Sequence, residues 1–421
     1  MYSSTIELDW HRPDNTANLF AAVSSESDPH VFRVTMELCD RVYPHFLQKA
    51  LEETLPYFRA FDVKFKCHLF SWVYEAQYIY PQVADEVGHP CKFFSNENKE
   101  GFLFRVLYNG NKIHLESSHA LSDGTGAVYF LKAIGYRYIQ LTYKNKLTSD
   151  QREKRFGLEY GMNVTDGYAV NYKKVKKTEH REMLAYMIRG KRRSIGDMGI
   201  LTVNMSVSQL KAVSNTCQAT ISEYMSAVLL MAIRDSYPDN AKKPIRIELP
   251  VNLRPLFNTE TSLNFFSNIS ISLNPQEFSY SFKEILHCVK KQFKEKIRKE
   301  QFEQRFGFTV WGERCLLARM TPVVARHWFL RRMYELCSGS STIGFSNIGK
   351  IVLEPGFAQY IKEISALATP TPYVPIKIVT CSVKDNFTMN ITTKISDNTF
   401  PDKIIQALEG SGIVVNLKNR L

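Results

Sequence analysis

Apolar and polar positions alternate along residues 31–38, the signature of a half-buried strand. Residues 43–55 instead carry Phe46, Leu47, Ala50, Leu51 and Leu55 at helical spacing and stop before Pro56. Two short strands are expected at 61–65 and 69–74. The clearest hairpin joins residues 102–108 to 111–117 through Asn109-Gly110, a pair that favours a type I′ turn between alternating strands. On its second strand Ile113, Leu115 and Ser117 share one face, and His114, Glu116 and Ser118 the other. That strand runs into Ser118-His119-Ala120-Leu121-Ser122-Asp123-Gly124, and an apolar helix is expected from about residue 127.

The second half repeats this order of elements without repeating the sequence. Strands are expected at 200–205, 245–251, 268–273, 342–346, 376–383 and 387–394. Thr220-Ile221-Ser222-Glu223 reads as a capping box before a helix at 224–232. A lysine-rich amphipathic helix is expected over 282–302, and one at 322–336 mixes Val, Trp and Phe with three arginines. A helix lying on a membrane surface is one reading of the latter. The preferred reading is a partly buried helix whose arginines snorkel outward. Asn347-Ile348-Gly349 reads as a turn, and a helix at 401–408 closes the chain.

With 421 residues the chain exceeds a single core, and two domains of roughly 150–200 residues are expected. We expect a first lobe at 1–165, a basic linker or lid at 166–198 and a second lobe at 199–421. Hydrophobic residues are 44% and charged residues 23%, ordinary for a globular protein. No apolar run reaches the ~18–20 residues of a transmembrane segment. The N-terminus lacks the pattern of a signal peptide. The eight cysteines are scattered without metal-ligand spacing, which points to free thiols, no metal site and a cytoplasmic protein. A net charge of +12 suggests an anionic partner. Nucleic acid is not expected, because no helix-turn-helix, zinc-finger or RNP-like motif is present.

A histidine at the mouth of a strand, followed by aspartate and glycine, is a general-base candidate. An imidazole near its ordinary pKa of ~6.5 is largely neutral at pH 7 and can take a proton from an attacking hydroxyl. His119 is that candidate. Ser346 or Asn347 could donate to an oxyanion if the chemistry at the site forms one.

Three stretches together carry a resemblance: 118–124, Pro250-Val251-Asn252-Leu253-Arg254-Pro255-Leu256-Phe257 with Asn264-Phe265-Phe266-Ser267-Asn268, and Gly344-Phe345-Ser346-Asn347-Ile348-Gly349. In order and separation they resemble the chloramphenicol acetyltransferase-like superfamily, which includes condensation domains, and most of all its bacterial alcohol O-acetyltransferase-like proteins. The family's motif is HHxxxDG; here Ser118 stands in place of its first histidine, while His119 matches the second, which carries the chemistry.

The resemblance implies an α/β fold of two lobes, each a mixed sheet packed with helices, and a channel between them. It implies an O-acyltransferase with His119 as base and acyl-CoA as co-substrate, with no bound cofactor. The acceptor would be a small alcohol or amine. Asp123 would be a structural brace paired with an arginine, Arg254 being the candidate. Gly124, Arg254, Asn268, Ser346 and Asn347 would line the substrate site. The alternatives are a condensation-like enzyme that takes its acyl group from an acyl carrier protein, and a binding homologue without turnover.

Overall fold

A computed structural model describes residues 10–76, 79–94, 101–173, 184–236, 242–277, 279–315 and 320–420. Two mixed sheets carry the molecule. The first orders its strands Ile361–Ala368, Val31–Leu38, Lys112–Ser118, Phe104–Asn109 and Ala84–Asp85. The second orders Phe266–Leu273, Ile245–Asn252, Ile343–Lys350, Ile376–Val383, Asn386–Thr393, Gly199–Ser206 and Asn416–Arg420. A small third sheet joins Trp10–His11, Trp72–Ala76 and Val63–Cys67. Each large sheet has its own apolar core, with Phe58, Phe61, Phe104 and Phe130 in the first and Tyr224, Phe265, Phe302 and Phe345 in the second. This is the α/β, two-lobed architecture of mixed sheets packed with helices.

The lobes are not simple halves of the chain. Strand Ile361–Ala368 pairs antiparallel with Val31–Leu38 at the edge of the first sheet. Phe357, Ile361, Ile364 and Cys381 belong to the first core. The first lobe therefore extends beyond 1–165. Of the basic stretch expected to be a linker or lid, residues 174–183 lie outside those described.

Several elements depart from the pattern. The hairpin turn sits one residue later, at Gly110-Asn111, because Asn109 pairs with Lys112. Only Gly110 takes a positive φ (58°), so the turn follows the II′ rule of glycine first and not the I′ rule. The expected helix at 282–302 is two helices, Phe282–Lys296 and Lys299–Arg314. Asn347-Ile348-Gly349 is not a turn but a bulge inside strand Ile343–Lys350, whose pairing resumes at Gly349 opposite Cys381. The helix Val323–Cys337 turns apolar side chains outward along with its arginines; Trp328 is 67% exposed and Leu336 73%. The capping box at Thr220 and Glu223 forms as expected, Glu223 Oε2 accepting from Thr220 N at 2.8 Å.

Candidate active site

Strand Lys112–Ser118 delivers the His119 turn to the seam between the lobes. Ser118 Oγ accepts from Ala120 N at 3.1 Å, and Leu121 N donates to Ser118 O at 2.9 Å, which closes the turn locally. A serine in place of the first motif histidine thus has a physical role. The turn is also held from outside. His119 N donates to His30 O at 3.0 Å, Asn264 Nδ2 donates to His119 O at 3.2 Å, and the Tyr74 hydroxyl donates to Ala120 O. Asn264 is itself anchored on the buried Asp14, whose Oδ2 accepts from Asn264 N and Nδ2 at 3.2 and 3.0 Å.

The His119 ring packs between aromatic side chains of the first lobe. Phe20 stacks on it at 4.8 Å and Phe32 lies tilted at 4.6 Å; Phe266 of the second lobe reaches 6.2 Å. Its Nδ1 is enclosed without a hydrogen-bond partner, while the residue as a whole keeps partial exposure. Burial first, then the nearby charges of Lys377 and His30, push its pKa well below the ordinary histidine value. The imidazole is held neutral.

Asp123 begins helix Gly124–Thr142 and caps it, Oδ1 accepting from Gly126 N at 3.0 Å. The same carboxylate reaches the second lobe. Arg254 Nη1 donates to Oδ2 at 2.7 Å, Nη2 to Oδ1 at 3.1 Å, and Phe265 N to Oδ2 at 3.0 Å. Arg254 places its remaining donors on Thr261 O, Leu263 O and Asn252 Oδ1. All five guanidinium N–H groups are thereby engaged. This corrects the expectation that Arg254 lines the substrate site: it has no donor left for a ligand, and it joins the two lobes. Burial would lower its pKa, but the Asp123 carboxylate together with Tyr160 and Tyr168 raises it on balance. Gly126 is required by close approach, since a Cβ there would lie 2.8 Å from Ser262 O. At Gly124 a Cβ would meet only Ile348 Cδ1, at an ordinary 3.9 Å.

The other expected site residues differ in how free they are. Asn347 Nδ2 donates to Ser222 Oγ at 2.9 Å, and its Oδ1 accepts from Gly349 N at 2.9 Å, which fixes the bulge. One of its two amide N–H donors is thereby spent on Ser222. Ser346 is partly exposed on the same strand, and its carbonyl accepts from Thr380 at 3.4 Å. Asn268 is exposed, two residues along the strand from Phe266 and on the same face, with Nδ2 donating to Glu248 Oε1 at 2.6 Å.

His30 and Lys377, near the site, are not apparent from motif spacing. His30 is buried with a positive φ of 48°, an unusual backbone for a non-glycine residue, and its ring lies 5.1 Å from Phe20. Its Nε2 stands 3.3 Å from Asp28 Oδ2, which also accepts from the Tyr334 hydroxyl at 3.0 Å. The side chain of Lys377, on the second-lobe strand Ile376–Val383, has no hydrogen bond or ion pair among the described residues, while its carbonyl accepts from Thr392 at 3.1 Å. Burial lowers its pKa against the opposing pull of Asp28 and Glu248. A cavity of about 300 Å³ opens nearby, with Pro29, Cys91, Lys92 and Lys394 among its walls; His119 is not one of them. Among the described residues no cluster of three or more His, Cys, Asp or Glu is placed to hold a metal ion.

Two mixed sheets, a histidine turn at their seam and an arginine brace across it make up a fold shared with solved acetyltransferases and a condensation domain. The chain is similar in structure to TRI3, the trichothecene 15-O-acetyltransferase from Fusarium sporotrichioides, with a TM-score of 0.65 and 11% identity over 96% of this chain and 95% of that one. It is similar to TRI101 of F. graminearum, solved with coenzyme A and T-2 mycotoxin, with a TM-score of 0.63 and 9% identity over 95% and 97%. A third likeness is to the condensation domain of the monacolin K polyketide synthase MokA, with a TM-score of 0.56 and 12% identity over 96% of both chains. At such identities the likeness is one of fold. No protein-family model matches the sequence, and no curated protein matches it.

Proposed function

We propose that this chain is an acyltransferase that moves an acyl group from a CoA thioester to a hydroxyl acceptor, with His119 as general base. The observation that carries the reading is the state of His119. Aromatic rings grip its imidazole, its backbone is held at the seam of the lobes, and burial there favours the neutral form. Its exposed edge takes the hydroxyl proton as oxygen attacks the thioester carbonyl and the C–O bond forms. The adduct then collapses, the C–S bond breaks, and the thiolate recovers the proton from the imidazolium to leave as free thiol. Lys377 and Ser346, on neighbouring strands of the second lobe, are the candidates to face the oxyanion. Asp123 braces the lobes and takes no part in proton transfer.

The likeness to condensation domains favours one second reading, in which the thioester arrives on a carrier protein. Thiol release from a panel of acyl-CoAs with mixed alcohols and amines separates the two, for wild type and His119→Ala. Loss of rate in His119→Ala by about 10²–10⁴-fold is expected for a general base. Equal rates would sink the assignment. No release from any CoA, with transfer from a carrier-bound thioester, would favour the second reading.

A further inference from the structure

Helix Val323–Cys337 has two faces with different surroundings. Its inner face meets the site: Tyr334 donates to Asp28 at 3.0 Å and its ring lies 5.5 Å from His30. Its outer face carries Val324, Trp328, Phe329 and Leu336, each more than half exposed. The tip of the hairpin between Val63–Cys67 and Trp72–Ala76 continues that surface. Val323 N donates to Leu69 O at 2.9 Å, Arg326 Nη2 to Phe70 O at 2.6 Å, and Trp72 Nε1 meets His327 Nε2 at 2.6 Å. Leu69 and Phe70 are themselves largely exposed, at 68% and 48%. Hairpin tip and helix thus form one fixed apolar surface. Such a surface in water marks a docking site.

We propose that this surface seats the protein on a bilayer containing anionic lipid. The charge argues for that occupant. The helix holds Arg326, Arg331 and Arg332 against the single Glu335, and the two outer arginines are more than half exposed. Glu335 lies between them, at 3.7 and 2.7 Å, leaving the face net positive. The chain as a whole carries +12. A second copy would bring the same sign of charge to the contact, whereas anionic headgroups complement it. Tryptophan and phenylalanine beside arginine on an outward helix face is the composition of a helix lying in the interface plane. Among the described residues no helix is long and apolar enough to cross a membrane. The association is therefore peripheral, and it sets the site one helix thickness, roughly 10 Å, from the lipid.

Co-sedimentation with sucrose-loaded vesicles tests this, using phosphatidylcholine alone and phosphatidylcholine mixed with phosphatidylglycerol. Wild type should sediment with the mixed vesicles and lose that binding as salt rises. The double variant Arg331→Gln/Arg332→Gln should bind roughly 25-fold more weakly, about fivefold for each charge removed. The variant Trp328→Ser/Leu336→Ser should lose binding while keeping the wild-type melting temperature, because both side chains are exposed. His119→Ala should bind vesicles as wild type does, so docking and catalysis are read separately. No vesicle binding by wild type at low salt would overturn the proposal, as would binding unchanged in both double variants. A wild-type dimer that Trp328→Ser/Leu336→Ser converts to monomer would assign the face to a second copy and overturn it equally.

Discussion

Replacing Asp123 by asparagine keeps the side chain's volume and removes its charge. Four donors converge on the carboxylate: Gly126 N, Phe265 N and two nitrogens of Arg254. Asparagine offers one acceptor oxygen, so its amide nitrogen must face two of those donors. Asparagine caps a helix about as well as aspartate, so the cap itself is largely kept. The main loss comes from Arg254, which stays buried with no counter-charge. Removing one partner of a buried ion pair costs about 3–5 kcal/mol. For a lobe of this size each kcal/mol moves the melting temperature by roughly 2–4 °C, so a fall of about 6–20 °C is expected. Thermal unfolding followed by circular dichroism reads it, beside acyl-transfer rates on the same samples. Removing both partners, in Asp123→Ala/Arg254→Ala, should cost about 2 kcal/mol less than the single losses added together. The reasoning is refuted by an Asp123→Asn protein that is inactive yet melts within a degree or two of wild type, because the carboxylate would then act in the chemistry.

Two pH dependences follow from burial. The His119 pKa lies well below the ordinary value, so the neutral base persists as pH falls. The kcat/KM profile should therefore stay level through ~6.5 and drop only below it. Phe20→Ala, which opens the ring to water, should move that drop upward; a wild-type drop centred at 6.5 would count against a desolvated base. Asp14 behaves oppositely, because burial raises its carboxyl from 3.8 to about 7 despite the bonds from Asn264 and Ala17. Between those values the native state binds more protons than the unfolded one, so stability declines as pH rises from about 4 to about 7. At 1.36 kcal/mol per pKa unit the decline is on the order of 4 kcal/mol at most. Asp14→Asn cannot titrate at this position, so the wild-type urea midpoint should fall relative to that of the variant as pH rises across this range, and a difference independent of pH would contradict it.

What could be read from the sequence was local, and what could not was convergence. Strand Val31–Leu38 and the two strands of the central hairpin follow from alternation, although the fold goes further and buries both faces of Lys112–Ser118. Strand Ile361–Ala368 escapes, since a register shift between Ile361 and Glu363 breaks the period of two. The HxxxDG stretch is visible because a turn compresses it into six residues. Its surroundings are not visible in that way. Phe20, His30 and Lys377 come to His119 from distant segments, and nothing in their own neighbourhoods marks them. Asn347 shows a subtler failure. Its asparagine–glycine chemistry is real, with Oδ1 accepting from Gly349 N, but pairing with strand Ile376–Val383 before and after it converts the local turn signal into a bulge.

The same logic explains the helix Val323–Cys337. A run of valine, tryptophan, phenylalanine and arginine fits a helix buried along its apolar stripe, with its charges snorkelling out. Which stripe is covered depends on what packs there, and here that is the helix Asn15–Val23 and the hairpin tip at Leu69 and Phe70. They cover the side bearing Val323, His327 and Tyr334, and Tyr334 reaches Asp28 beside the site. Trp328 and Leu336 are left outside by that choice. An apolar face that the other described residues leave open, backed by residues that touch the site, ties the surface of this protein to that site through a single helix.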